Sequence, residues 1–457
     1  MLLDWRDELK VLIFGFGANG GGFSAAKYFL NRGNEVRITD MRSREQLGES
    51  LTYFEKLGVK TTCGAHKESD FLWADLVIKN PAIKPDSRFL SLAKKYATDF
   101  SMLFSSPLIS KVKLITITGT KGKTTTSAMV NHILNKTGHF SMQCGNMGIS
   151  SFIILDELEN LKKTGKPFPE FLVCEMSSWQ VADVYKIQEK MPEIEIATIT
   201  NLMEDHLNYY NNITDYLNDK LLMLNFKCNN IISSNELRPI IANYLKINKS
   251  RIISIENSTK KLVDVNPIYN PAYAVCHTLK IRKDSILKNL KTFSGVPHRN
   301  EFVRLVGNTI FINDSAATIP MAVNFCITNN FQHLPYYLIC GGTDKNLHPE
   351  PMLEAMKKSQ GVFLLDGSFT KEKLIPLLKD MKIKYKGPFA EMKDAVNECW
   401  KSAKKHLKDS KNQTVFLSPG ASSFEYFTNE YDRGNKYKIA VNTIYDDETK
   451  QTEETQV

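Results

Sequence analysis

The chain has 457 residues, 42% hydrophobic and 24% charged, with 59 Lys+Arg against 50 Asp+Glu and a formal net charge of +9. At roughly 100–200 residues per domain this length holds two to four domains. The ordinary apolar and charged fractions exclude a disordered, collagen-like or coiled-coil chain, and the modest basic surplus is compatible with nucleic acid, a membrane surface, an acidic small molecule or plain solvation.

The predicted elements alternate short β-branched strands with helices, which gives an α/β fold class. Leu9–Phe14 is a strand, Gly20–Arg32 a helix, Glu35–Thr39 a strand and Leu76–Lys79 a further apolar run. A break is expected over Met102–Lys111, around Pro107 and several serines. Strand Lys113–Thr118, helix Lys123–Leu134 and strands Phe171–Cys174 and Ile196–Thr200 follow. The Lys/Asn-rich stretch Asn225–Lys261 carries strand Ile252–Ile255. A loop with Gly295 and Pro297 leads into alternating residues Val303–Ile312, then strands Tyr336–Ile339, Val362–Leu365 and Val415–Leu417. Three α/β domains are therefore expected, over 1–107, 108–296 and 297–457, with an acidic tail frayed after about 445.

Eight cysteines are scattered along the chain with no C-x-x-C pair. They predict reduced thiols in a cytoplasmic protein rather than a zinc site or a disulfide framework. The opening MLLDWRDELK carries charges where a signal peptide needs an apolar run. No stretch approaches the ~18 apolar residues of a membrane span, and no basic stripe is interleaved with aromatics. Neither membrane nor nucleic acid is an expected partner.

The sharpest local signal is Thr118-Gly119-Thr120-Lys121-Gly122-Lys123-Thr124-Thr125, which follows a strand and opens a helix. Glycines let backbone N–H groups close around phosphate oxygens, and the helix N-terminus adds a favourable dipole. Lys123 can reach β- and γ-phosphates and a threonine hydroxyl can ligate Mg²⁺. The loop is shorter than a usual Walker A, with Gly119 three residues before Gly122. The bland alternative is a Gly/Thr turn with an exposed lysine.

Gly15-x-Gly17-x-x-Gly20 follows the first strand and Asp40 ends the second. This pattern suits a dinucleotide, a nucleoside-diphosphate ligand, or a tight packing turn with no ligand. Glu175 ends an apolar strand, where a carboxylate commonly holds Mg²⁺. Asp205-His206 follows strand Ile196–Thr200 and by itself is equally well a surface turn. Lys220 lies in a helical stretch where an exposed lysine is the default. Arg299, in the turn Gly295–Arg299, carries a cation that can face a phosphate or merely end a linker.

TGTKGKTTT, GNMG, EMSSWQ, TNLMEDH, the helix with Lys220, GVPHR, NDSAAT, GGTDK and LSPGASSFEYF occur in the order seen in the Mur ligases. The chain resembles that family from Gly15 to Gly434, and within it the D-glutamate-adding branch. The resemblance implies a Rossmann-like N-terminal domain, a central P-loop ATPase-type domain and a C-terminal Rossmann-like domain. It also implies a cytoplasmic, monomeric ATP-dependent ligase of cell-wall peptidoglycan synthesis. Its small-molecule substrates would be UDP-N-acetylmuramoyl-L-alanine and D-glutamate, joined through an acyl phosphate and a tetrahedral intermediate.

Residue roles follow from the same resemblance. Gly119, Thr120, Lys121, Gly122, Lys123, Thr124 and Thr125 match the ATP phosphate cradle, with Asn270, Arg299 and Asp314 as further nucleotide contacts. Thr124, Glu175, His206 and Lys220 match ligands of two Mg²⁺ ions, Lys220 as a carbamylated lysine with Tyr216 four residues before it. Lys123, His206 and Lys220 match the catalytic positions. Gly17, Asn19, Asp40, Arg42, Asn146, Ser177, Ser178 and Gln180 match the UDP-substrate side. Thr318, Lys345, Ser423 and Phe424 match the D-glutamate pocket. Ala316 stands where many members have lysine, and Glu430 where the residue is often aromatic. A ligase adding another amino acid, a folylpolyglutamate synthase-like enzyme and a non-catalytic nucleotide-binding protein are the alternatives.

Overall fold

Short β-branched and aromatic runs form three sheets flanked by helices. The computed structural model describes the chain outside residues 1–7, 18–20, 146–148, 189–191, 204–209, 211, 261, 263–266, 331–334, 345–346, 406–411 and 445–457, and outside the side chains of 325–326 and 328–330. The expected site residues Asn19, Asn146, Asp205, His206 and Lys345, and the acidic tail, lie outside the described residues. The chain divides into two compact units, 1–293 and 294–457.

The first unit carries two parallel sheets. Strands β1 (Lys10–Phe14), β2 (Glu35–Asp40), β3 (Lys60–Cys63), β4 (Leu76–Lys79) and β5 (Tyr96–Ala97) run in the order β3-β2-β1-β4-β5. Strands β6 (Lys113–Thr118), β7 (Ser141–Gly145), β8 (Phe171–Glu175), β9 (Ile194–Ile199), β10 (Cys228–Ser233) and β11 (Ile252–Ser254) run in the order β11-β10-β9-β6-β8-β7. In both, strand order reverses beside a central strand, and ligands of such sheets bind outside the carboxyl ends at that reversal. In the first sheet the reversal lies between β1 and β4. In the second, the β6 loop and the end of β8 meet there.

One buried cluster runs through both sheets. Its seam is aromatic. Phe29 and Tyr28, on helix Gly21–Leu30, pack on Phe152 of helix Ser151–Thr164 at ring-centroid distances of 5.6 and 5.1 Å. Arg32 closes the rim by pairing with Asp156 at 2.7 Å and Glu159 at 2.6 Å, its guanidinium 3.4 Å from the Tyr28 ring centroid. Burial of the rings supplies most of the adhesion, because half-exposed ion pairs of this kind contribute about 0–1 kcal/mol each.

The second unit has one six-stranded sheet. Its strands are β12 (Glu301–Val306), β13 (Thr309–Asn313), β14 (Tyr336–Cys340), β15 (Gly361–Leu365), β16 (Tyr385–Phe389) and β17 (Gln413–Leu417), in the order β12-β13-β17-β14-β15-β16. All pairs are parallel except the β12–β13 hairpin. The chain therefore forms three α/β sheets, and among the described residues no helix is long and apolar enough to cross a membrane.

Two of the expected elements need correction. The alternating run Val303–Ile312 is not one strand but the two arms of that hairpin, turned at Gly307, whose φ is +56°. The break over Met102–Lys111 contains the end of helix Asp99–Ser105, which Thr98 and Ser101 start with a capping box. The expectation of reduced thiols stands: Cys144 and Cys174, which face each other across β7 and β8 with sulfurs 3.7 Å apart, are free and buried.

Phe152 is 1% exposed at the seam. Phe152→Ala should lower the stability of the first unit by about 3–5 kcal/mol. Urea unfolding followed by hydrogen exchange should show this loss in the first unit, with protection in the second unchanged.

Candidate active site

The loop after β6 is shaped by two glycines. Gly119 has φ +143°, and a Cβ there would stand 2.0 Å from Thr200 Oγ1. Gly122, with φ +79°, is the N-cap of helix Lys123–Lys136. An L side chain is strained at both angles. The end of β9 fixes the loop from the side. Lys121 N donates to Asn201 Oδ1 at 2.9 Å, and Thr200 Oγ1 and Asn201 Nδ2 donate to Lys121 O at 2.8 and 3.0 Å. Thr120 N donates to Asn201 O at 3.1 Å, and Met203 N to Thr120 Oγ1 at 3.0 Å. Thr200 and Asn201 were not among the expected site residues. Asn201 stands in TNLMEDH, yet its clamp on the loop is visible only when β9 lies beside β6.

Two lysines converge above this loop. Lys123 Nζ donates to Gly119 O at 2.9 Å and to Thr120 O at 3.0 Å. Lys220 Nζ donates to the same Gly119 O at 3.3 Å, and it lies 3.9 Å from the Tyr216 ring centroid. The default of an exposed lysine fails for Lys220, which is 1% exposed. Tyr216 is 2% exposed and shares the buried face of helix Ile213–Leu221 with Lys220, its ring facing the Lys220 ammonium.

Thr124, in the first turn of the helix, donates to Glu175 Oε1 at 2.8 Å. Glu175 is 1% exposed, and its Oε2 has no hydrogen-bond partner among the described residues. A buried carboxylate oxygen without a donor is costly unless a cation serves it. The donor set, a carboxylate and a hydroxyl beside a phosphate loop, suits a hard divalent cation such as Mg²⁺. Among the described residues no group of three or more His, Cys, Asp or Glu gathers for a metal. Thr125 is half-buried on the same turn. Asn270 opens helix Asn270–Thr278, which shares a buried cluster with the helix after the loop.

Ser177, Ser178 and Gln180 start the next helix, Ser178–Ile187. Ser177 and Gln180 form its capping box, with Ser177 N donating to Gln180 Oε1 at 3.0 Å and Gln180 N to Ser177 Oγ at 3.3 Å. Ser178 Oγ accepts from Tyr210 Oη at 2.8 Å, and the same Oη reaches Asp219 Oδ2 at 2.9 Å. Tyr210 thus ties the helix after Glu175 to the helix bearing Lys220, a link not visible in the sequence.

At the first sheet, Asp40 is 6% exposed and ties the glycine turn to the backbone after its own strand. Its Oδ2 accepts from Gly17 N at 2.9 Å and its Oδ1 from Arg42 N at 2.8 Å. The close-packing glycine is Gly22, where a Cβ would stand 2.2 Å from Phe16 O. Gly20 of the expected pattern lies outside the described residues. Asn80, after β4, presses on this turn, its Nδ2 3.0 Å from where a Gly17 Cβ would stand.

In the second unit three loops gather at the carboxyl ends of β13, β14 and β17. Asp314 accepts from Ser418 Oγ at 2.9 Å and from Asn300 N at 3.3 Å. Thr343 N donates to Ser422 O at 3.0 Å, and Gly420 N to Ala317 O at 2.8 Å. Ser423 is buried, Thr318 half-buried and Phe424 57% exposed. Arg299 carries a buried Nε with no partner among the described residues.

The residue missed here is Arg433, which is wholly buried. It donates to Ser315 Oγ at 3.0 Å, Ser315 O at 2.9 Å, and Ala421 O and Ser422 O at 3.1 Å each. Burial pushes its guanidinium down to about 9, still charged at neutral pH. It sits inside helix Glu430–Asn442, where a lone arginine carries no motif.

Comparison with known proteins agrees with this arrangement. Residues 9–100 match the model of the Mur ligase MurD-like N-terminal domain, and residues 117–317 that of the Mur ligase middle domain. UDP-N-acetylmuramoylalanine–D-glutamate ligase of Borreliella burgdorferi (strain ATCC 35210) is 32% identical, over 97% of this chain and all of the relative. The enzyme of the same name from Borreliella afzelii is 31% identical over the same shares. Among solved structures, UDP-N-acetylmuramate-alanine ligase MurC from Thermotoga maritima covers 95% of this chain and 99% of its own, with a TM-score of 0.58 at 15% identity. MurF ligase from the same organism has a TM-score of 0.53 at 14% identity, over 89% of this chain and 95% of its own. These structures share the fold. With near-full-length relatives above 30% identity and two matching domain models, the chain belongs to the Mur ligase family.

Proposed function

We propose that this protein is the ATP-dependent ligase that joins D-glutamate to UDP-N-acetylmuramoyl-L-alanine in peptidoglycan precursor synthesis. The observation that carries the reading is the convergence on one loop of Lys123, Lys220 and the Thr124–Glu175 pair. The near-full-length relatives named as that ligase give the substrate class. The domains would be 1–107 for the UDP-substrate, 108–296 for ATP and 297–457 for the amino acid.

The chemistry follows from what a carboxylate lacks. It is a poor electrophile until one oxygen becomes a good leaving group. Transfer of the γ-phosphoryl group of ATP to the substrate carboxylate makes an acyl phosphate. The D-glutamate amine adds to the acyl carbon, and the tetrahedral intermediate expels phosphate while the amine proton goes to a base. Two anions must first be brought together, and this requires fixed positive charge. Lys123, now satisfied by two loop carbonyls, would exchange them for phosphate oxygens. Thr124 and Glu175 would hold Mg²⁺, and His206 would complete the set. When bound, Mg²⁺ neutralises phosphate charge.

Lys220 has a second reason to be a carbamate. Two ammonium groups on one buried carbonyl repel each other. Condensation of the Lys220 amine with CO₂ would replace one cation with an anion beside Lys123 and supply a further oxygen for metal. On the UDP side, Gly17, Asn19, Asp40, Arg42, Asn146, Ser177, Ser178 and Gln180 would contribute, and Thr318, Lys345, Ser423 and Phe424 would take D-glutamate. Asn270, Arg299 and Asp314 would contact the nucleotide.

The direct test is the product mass from ATP, UDP-N-acetylmuramoyl-L-alanine and a panel of amino acids. Phosphate release should require both the UDP-sugar and D-glutamate. Incorporation of a different amino acid, or ATP binding without turnover, would overturn the assignment. Gly119→Ala should keep the fold yet lower kcat/KM at least 100-fold, because the loop would have to leave Thr200. Lys220→Ala should be inactive and regain partial activity with added acetate or formate, and full activity without them would exclude a carbamate.

A further inference from the structure

A buried ion pair joins the two sheets of the first unit. Lys79, the last residue of β4, is 1% exposed, and its Nζ lies 2.5 Å from Asp183 Oδ2. Asp183 is 3% exposed on helix Ser178–Ile187. The Lys79 Nζ also points at Asn80 O, at 3.4 Å.

Each end of this pair leads to a ligand-facing element. Lys79 pairs in register with Phe14 at the end of β1. Asn80 and Ile83 then form the floor of the glycine turn, because a Cβ on Gly15 would stand 2.9 Å from Asn80 Cβ and 2.8 Å from Ile83 Cδ1. At the other end, the Asp183 helix starts from the Ser177 cap two residues after Glu175, and Ser178 binds Tyr210. The path runs from the glycine turn through Lys79 and Asp183 to the Glu175 side of the phosphate loop.

A buried ion pair is a weak source of stability, since desolvation offsets most of its attraction. It is directional, however, and apolar packing at the same place would let strand and helix slide. We infer that Lys79 and Asp183 are positioning residues that set the span between the glycine turn and the phosphate loop, and so select a substrate long enough to touch both. This inference rests on the function proposed above, in which the uridine end of the UDP-sugar sits on the turn and its carboxylate at the loop. A ligand that touches only one end should be indifferent to the pair.

The test uses the full chain with Lys79→Met and Asp183→Leu combined, so that neither charge is left buried alone. Calorimetry would measure UDP, ATP and UDP-N-acetylmuramoyl-L-alanine separately. With the thermal midpoint close to wild type, UDP and ATP should bind within twofold of wild type while the spanning substrate weakens about tenfold. Unchanged binding of the spanning substrate would overturn the inference. Equal weakening of UDP would also overturn it, since the pair would then merely build the turn. Should the double variant not fold, Lys79→Arg, which keeps the charge and lengthens the arm, should show the same split with a smaller loss, and an unsplit loss counts against the strut. Failure of the wild-type protein to bind the spanning substrate at all would instead remove the function reading, and the strut with it.

Discussion

A single backbone carbonyl, that of Gly119, organises the catalytic end of the first unit. It accepts from both Lys123 and Lys220. Two cations meet there because the loop turns through a backbone angle open only to glycine and because Thr200 occupies the space a side chain would need. Each ammonium finds an oxygen there, but the two share it and repel each other. The arrangement is poised, since phosphate oxygens are better partners for the Lys123 ammonium than a neutral carbonyl. The same loop therefore explains a fold-level demand for glycine and a functional demand for lysine.

Parallel topology delivers the other groups. Glu175 ends β8 beside β6, so the carboxylate and the phosphate loop are neighbours by register, with Ile117 opposite Glu175. Asp40 ends β2 beside β1 and grips the glycine turn. In the second unit, β17 is inserted between β13 and β14, so three loops far apart in sequence share one rim. Arg433 holds two of these loops by their carbonyls. A charged group buried in this way is retained for geometry more readily than for net stability.

Much of this was legible in the sequence, and for identifiable reasons. The strands Leu76–Lys79 and Lys113–Thr118 were read with their observed bounds because each is a continuous apolar or β-branched run. The phosphate loop was legible because its chemistry needs particular residue types at adjacent positions. What escaped notice has no local signature. Strand β3, KTTC, and edge strand β16, which contains Gly387 and Pro388, lack the apolar alternation that marks a strand. Lys220 is indistinguishable from a surface lysine until Tyr216 and Gly119 enclose it. Thr200, Tyr210 and Arg433 each act through a partner far away in sequence, Thr200 on Lys121 at 79 residues, Tyr210 on Ser178 at 32 and Arg433 on Ser315 at 118. Ser177 and Gln180 were legible as part of EMSSWQ, but the structure adds that their polar atoms already cap a helix.

The alanine at 316 sharpens the role of the nearby arginines. A chain lacking a lysine in the NDSAAT loop must find positive charge for an anionic ligand elsewhere. Arg433 is the obvious replacement by proximity, since it binds Ser315, but its guanidinium is already engaged by four acceptors and is wholly buried. Turning it toward a ligand would take the donor from the Ala421 carbonyl, at a cost of about 1–3 kcal/mol, and one of two donors from the Ser422 carbonyl, which Thr343 N also serves. Arg299 differs, because its buried Nε has no partner among the described residues. Its backbone is held by the turn through Arg299 N to Val296 O at 3.1 Å, while its Nε finds no acceptor among the described residues. On the proposed function, the burden of the missing lysine therefore falls on Arg299, and Arg433 serves the same rim only by keeping its loops in place.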